Sequence, residues 1–171
     1  MRRIAVVLAS VMATASTVSP RGSAPLAGTW RLVSFESRDE AGTATHQMGP
    51  DAIGQLMYDA AGNMSVHLMQ PERTRFASGD RLEGTDKEVR MAFEGYHAYF
   101  GRYSVDTDAH TVTHRVMGSS FPNLVGSAQV RVFALEGDRL TLSTPPIRAG
   151  GRSITSVLVW ERVTSDAKPA R

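Results

Sequence analysis

Residues 110–137 read HTVTHRVMGSSFPNLVGSAQVRVFALEG, two runs of alternating apolar and polar positions joined by a loop of Gly, Ser and Pro. Such alternation marks strands with one face buried and one face in water. His114 and Arg131 lie inside the runs, among valine and phenylalanine. Polar groups there are costly unless they face water or line something polar, so the pair marks a candidate pocket.

Working outward, period-2 alternation recurs along the chain. Trp30 to Arg38 forms a first strand, and Gln55 to Asp59 pairs with Met64 to Gln70 around Ala60-Ala61-Gly62-Asn63. Tyr96 to Asp106, Thr111 to Met117, Gln129 to Leu135, Arg139 to Thr144 and Ser153 to Val163 follow. Eight short sequential strands with no helical layer to cover them must bury one face against itself. Closing them into an antiparallel barrel does this and removes exposed edges.

One segment departs from the alternation. Thr85-Asp86-Lys87-Glu88 has the form of a capping box, and Val89, Ala92 and Phe93 follow at helical spacing before Gly95. This predicts a single helix over 86–94, between the third and fourth strands, packed by its apolar stripe against one barrel end.

The N-terminus reads as a secretory signal over residues 1–24. Arg2 and Arg3 precede an apolar run from Ile4 to Ala15, and Gly22-Ser23-Ala24 supplies small residues for cleavage, with Ala13-Thr14-Ala15 as an earlier option. About 12 apolar residues fall short of the roughly 20 that span a bilayer. Residues 25–165 are the barrel domain, and 166–171 are expected to be a disordered tail. Loss of Arg2, Arg3 and Arg21 takes Lys+Arg from 19 to 16 against 17 Asp+Glu, so the net charge moves from +2 to −1. The remaining arginines are scattered, which argues against a nucleic-acid partner. The chain has no cysteine, which removes a thiolate nucleophile, disulfides and a lipid attachment at cysteine. A periplasmic or secreted location is expected, with no membrane span after the signal.

Gly28-Thr29-Trp30 at the start of the first strand resembles the G-x-W signature of lipocalins. The ordered blocks GTWRLVSFE, MYDAAGNMSVHLMQPERTRF, YHAYFGRYSVD, TVTHRVMGSSFPNLVGSAQVRVF, DRLTLST and LVWERV resemble the bacterial and fungal lipocalin-like domain family over residues 26–163. The resemblance implies a calyx-like barrel with a cavity for a hydrophobic or amphipathic ligand. It also implies that Arg162, near the last strand, packs over Trp30 and closes one end by a cation–π contact. This chain departs from typical lipocalins in having no cysteine and no long terminal helix after Val163.

Strand parity selects the cavity residues, because successive side chains point to opposite faces. Tyr99, Gly101, Tyr103 and Val105 share one face, as do Val112, His114 and Val116, and Gln129, Arg131, Phe133 and Leu135. If the apolar members face inward, His114, Gln129 and Arg131 go with them; a one-residue bulge would invert this. Arg131 either recognises a ligand carboxylate, phosphate or enolate or bridges carbonyls and tyrosine hydroxyls. His114 is either a satisfied core histidine or a general acid–base. Tyr99, Tyr103 and Phe133 suit a mostly apolar pocket with a few polar tips, and Tyr58 is a further wall candidate. Parity leaves the facing of His67 open, and His46, His97 and His110 fall in a loop or at strand ends, where exposure is the default.

Spacing offers little else. No H-x-H or H-E-x-x-H occurs, and His110 and His114 would stand about 13 Å apart in a strand, so no metal or other cofactor is expected. Gly118-Ser119-Ser120 is not a nucleophile elbow, and no acidic pair is placed for glycoside chemistry. The loop Gly118–Gly126 is expected at the barrel rim. The leading expectation is an exported binding protein for a small hydrophobic or amphipathic molecule held by Tyr99, Tyr103, His114, Gln129, Arg131 and Phe133. The alternatives are an isomerase, cyclase or hydrolase using the same cavity, or a barrel filled by its own side chains.

Overall fold

Alternating sequence becomes alternating burial. In a computed structural model that describes residues 24–149 and 151–164, the inward positions of the second half of the chain include Tyr99, Tyr103 and Val105, then Val112, His114 and Val116, then Phe133, then Leu140 and Leu142, then Ser156 and Trp160. The described residues form ten strands: β1 (Gly28–Asp39), β2 (Ala44–Thr45), β3 (Ile53–Tyr58), β4 (Asn63–Met69), β5 (Tyr96–Asp106), β6 (Thr111–Ser119), β7 (Ala128–Glu136), β8 (Arg139–Ser143), β9 (Ile147–Ala149) and β10 (Arg152–Arg162). Eight of them run antiparallel in the order β1-β3-β4-β5-β6-β7-β8-β10, and β1 pairs with β10 to close the barrel. The short strands β2 and β9 extend β1 and β10 beyond the barrel. The signal segment and the tail expected over 166–171 lie outside the described residues, apart from Ala24.

Two bulges adjust this plan. Val33 is extra in the β1–β10 ladder, so the inward set changes from Trp30 and Leu32 to Phe35 and Ser37 along one strand. In the β5–β6 ladder Phe100 faces Gly118 while Gly101 faces Val116, which leaves Met117 unpaired. This second bulge lies beyond Val116, so the inward phase of Val112 and His114 is kept. It also brings the strands close: a Cβ on Gly101 would stand 2.0 Å from the Arg115 carbonyl oxygen, a position only glycine can occupy.

The hydrogen-bonded ladder gives the barrel two unlike ends. The short turns β3–β4, β5–β6 and β7–β8 gather at one end with Gly28 and Arg162. The longer connections, including the helix, the segment after β6 and the β8–β10 ribbon, gather at the other.

The short-turn end is plugged. Trp30 is fully buried, its indole N–H donates to the Leu26 carbonyl at 3.0 Å, and the Arg162 guanidinium carbon lies 4.0 Å from its ring centre. Arg162 is itself held by the Ala27 carbonyl at 2.6 Å, the Pro25 carbonyl at 3.3 Å and Asp138 at 3.1 Å. Gly28 completes the plug: its φ is +138°, and a Cβ there would fall 2.7 Å from Arg162 Nη1. The G-x-W pattern thus has a local physical cause.

Helix α1 (Asp86–Glu94) begins with both halves of the capping box, Thr85 accepting from the Glu88 amide and Glu88 accepting from the Thr85 amide. Its apolar stripe is not packed away, contrary to the expectation: none of its residues is buried, and Val89, Met91 and Phe93 are exposed. Polar contacts fix it instead. Arg73 donates to the Ala92 carbonyl at 2.8 Å, and Glu88 accepts from the Ala77 amide at 2.8 Å. The helix can therefore stand at the open mouth with Phe93 beside a surface pocket.

Candidate ligand chamber

The barrel is not filled. An interior cavity of about 150 Å³ is walled by side chains from all eight barrel strands. Most of its wall is apolar, including Phe35, Leu56, Val66, Leu68, Leu142, Leu158 and Trp160. Above it, at the open end, lies a vestibule of about 270 Å³ bordered by Met48, Phe93, Tyr96, Ser120 and Phe121. Phe35, Gln47, Leu68 and His97 border both spaces. Ser120 and Phe121 bring the Gly118–Gly126 loop to the rim.

A polar cluster stands against the β3–β6 wall. His114 is fully buried between two tyrosines, with Nε2 2.6 Å from the Tyr58 hydroxyl and Nδ1 2.9 Å from the Tyr99 hydroxyl. Tyr99, His114 and Arg131 all line the cavity. Burial, aided by the charge of Arg131, lowers the His114 pKa to about 3, so the imidazole is neutral at neutral pH. Burial raises both Tyr58 and Tyr99, while Arg131 opposes the shift of Tyr99 by its charge and a side-chain hydrogen bond. Both tyrosines therefore keep their protons. His97 is lowered by burial and then by Arg131.

The six residues selected by parity divide here. Tyr99, His114 and Arg131 come together on the cavity wall. Tyr103 lies below them, its hydroxyl donating to the Asp59 carbonyl at 2.8 Å and its ring centre 4.5 Å from that of Tyr58. Gln129 turns back to donate to Ser127 Oγ at 2.9 Å. Phe133 is buried edge-on against His110, with ring centres 5.9 Å apart. None of these last three borders the cavity.

Other residues enter that the one-dimensional pattern did not mark. His97, expected to be exposed at a strand end, is half-buried where vestibule meets chamber. Trp160 is buried on the chamber wall, and its indole N–H has no hydrogen-bond partner among the described residues. Tyr58, read as a possible wall, is instead the second support of His114. His67 faces outward, with Nδ1 2.7 Å from the Tyr96 hydroxyl. Among the described residues no group of three or more His, Asp or Glu side chains is placed to hold a metal.

A closed antiparallel barrel plugged at one end by a Trp–Arg pair, with a mostly apolar chamber open toward the other, defines a lipocalin-type protein. The chain belongs to the lipocalin-like domain family, which matches residues 27–163. It is similar to the 4'-hydroxy-3'-methoxypropiophenone carrier protein ppsC of Aspergillus oryzae (strain ATCC 42149 / RIB 40). The two are 37% identical over 107 residues, which is 58% of this chain and 96% of that protein. Among solved structures, the lipoprotein YedD of Klebsiella pneumoniae subsp. pneumoniae MGH 78578 aligns with 83% of this chain and 74% of its own at 13% identity. The TM-score of that alignment is 0.39. Among the described residues no helix is long and apolar enough to cross a membrane.

Proposed function

We propose that this protein is an exported carrier that holds one small amphipathic molecule, with a single aromatic ring, in the barrel chamber. The observation that carries the reading is the chamber itself: an apolar wall on which Tyr99, His114 and Arg131 converge, the usual composition of a small-molecule site. The name of the similar carrier supports the ligand class, because an aryl ketone with a phenol offers an apolar ring and polar oxygens. The chamber volume suits one ring rather than a fused ring system, and the vestibule accommodates a side chain. Export rests on Arg2, Arg3 and the apolar run from Ile4 to Ala15. Tyr103, Gln129 and Phe133 take supporting places around the chamber in this reading.

Acid–base catalysis by His114 fits less well. Both ring nitrogens are already engaged by tyrosine hydroxyls, and burial holds the ring neutral. Calorimetric titration with 4'-hydroxy-3'-methoxypropiophenone should show saturable binding of one ligand per chain with a negative heat-capacity change, the mark of apolar burial. Absence of heat and of any thermal shift, for this compound and for a panel of monocyclic aromatic ketones and phenols, would overturn the reading.

A further inference from the structure

We propose that the polar end of the chamber holds its ligand as an oxyanion, the phenolate oxygen of a para-acyl phenol, between the Tyr99 hydroxyl and the Arg131 guanidinium. The inference rests on the carrier reading and adds the ionisation state of the ligand. It begins with a count of hydrogen-bond donors and acceptors.

Tyr58 is buried, and His114 Nε2 is the one hydrogen-bond partner of its hydroxyl among the described residues. A buried phenol needs an acceptor for its proton. Tyr58 therefore donates to Nε2, and the neutral imidazole carries its proton on Nδ1. Nδ1–H then donates to the Tyr99 oxygen at 2.9 Å. The opposite tautomer would strand the Tyr58 proton in the core. With its oxygen occupied by His114 and approached by Arg131, Tyr99 has its own proton left to present to the chamber it lines.

Two further donors stand on the chamber wall. Arg131 spends one N–H on the Val130 carbonyl at 2.8 Å and forms no ion pair among the described residues, and the chamber wall contains no Asp or Glu. Trp160, on the same wall, adds an indole N–H with no partner among the described residues. The titratable groups around this point are Tyr58 from β3, His97, Tyr99 and Tyr103 from β5, and His114 from β6. None of them is a carboxylate.

A neutral carbonyl would satisfy hydrogen bonds there but would leave the half-buried guanidinium without a counter-charge. An oxyanion satisfies both, through charge-assisted bonds of the stronger kind. A phenol with a para-acyl group ionises more readily than an unsubstituted phenol because its anion is shared between the phenol and ketone oxygens. On binding, its O–H bond breaks heterolytically, the electron pair stays on oxygen and the proton passes to solvent.

The test is an absorbance titration of 4'-hydroxyacetophenone from pH 5 to 9, with and without excess protein, following the long-wavelength phenolate band. Its O-methyl ether, 4'-methoxyacetophenone, is the control that cannot ionise. The bound phenol should ionise about one pH unit or more below the free one, equivalent to a roughly tenfold preference for the anion. The ether should bind more weakly at pH 8. Arg131→Gln should return the midpoint to that of the free phenol while the ether still binds, and Tyr99→Phe should return it part of the way. A phenol that binds with an unchanged or raised midpoint overturns the oxyanion and leaves the carrier reading standing. If neither compound binds, both readings fall.

Discussion

Trp30→Ala is expected to cost about 3–5 kcal/mol of folding stability, the usual range for removing a buried aromatic side chain. The indole is fully buried, donates to Leu26 and supports the guanidinium of Arg162. Its loss leaves a cavity at the plugged end and strips Arg162 of the ring face against which it is fixed. Domains of this size have roughly 5–15 kcal/mol in total, so the variant should unfold at much lower urea than the parent. A double-mutant cycle with Arg162→Ala should show a coupling of about 0.5–2 kcal/mol, the range of cation–π contacts. An additive cycle would show that the two residues merely share a neighbourhood. A loss under about 1 kcal/mol for Trp30→Ala would mean that this end does not rely on the indole.

Acid should weaken the fold well before most carboxylates titrate. His114 has a folded-state pKa near 3 because burial, and then Arg131, disfavour the imidazolium, whereas an unfolded histidine titrates near 6.5. Between these values the unfolded chain binds the proton and the folded chain does not. The contribution of His114 is therefore complete above pH 6.5 and is lost progressively as the pH falls toward 3. From pH 7 to pH 5 the loss from this residue is about 2 kcal/mol. His97 is shifted in the same direction and adds to it. Urea denaturation at the two pH values measures the difference, and His114→Gln, which cannot protonate, should reduce it. Equal acid sensitivity in parent and variant would assign the effect to other groups.

The barrel was legible because each strand buries only one face. Val112, His114 and Val116 kept the phase of their alternation, and Tyr99 and Arg131 kept theirs, which brought three candidate residues to one cavity. What escaped depends on contacts between strands. The Val33 bulge breaks the phase within β1 for a reason absent from its own sequence: the register against β10. Gln129 shares the parity of Arg131, but its short amide finds Ser127 before it reaches the chamber. His97 and Trp160 border the chamber because of where closure places β5 and β10, and no residue type or spacing announces that. The helix was legible from its cap, whereas the exposure of its stripe follows from polar anchors at Arg73 and Ala77, remote from its own periodicity.

The central claim is that the chamber, rather than an outer surface, receives the ligand, and intermolecular NOEs on the complex with an aryl ketone test it most directly. The account predicts NOEs from the ligand ring protons to the methyl groups of Val66, Leu142 and Leu158, on three different barrel strands. NOEs confined to Phe93 and Phe121 at the vestibule, or to residues on the outside of the barrel, would contradict it.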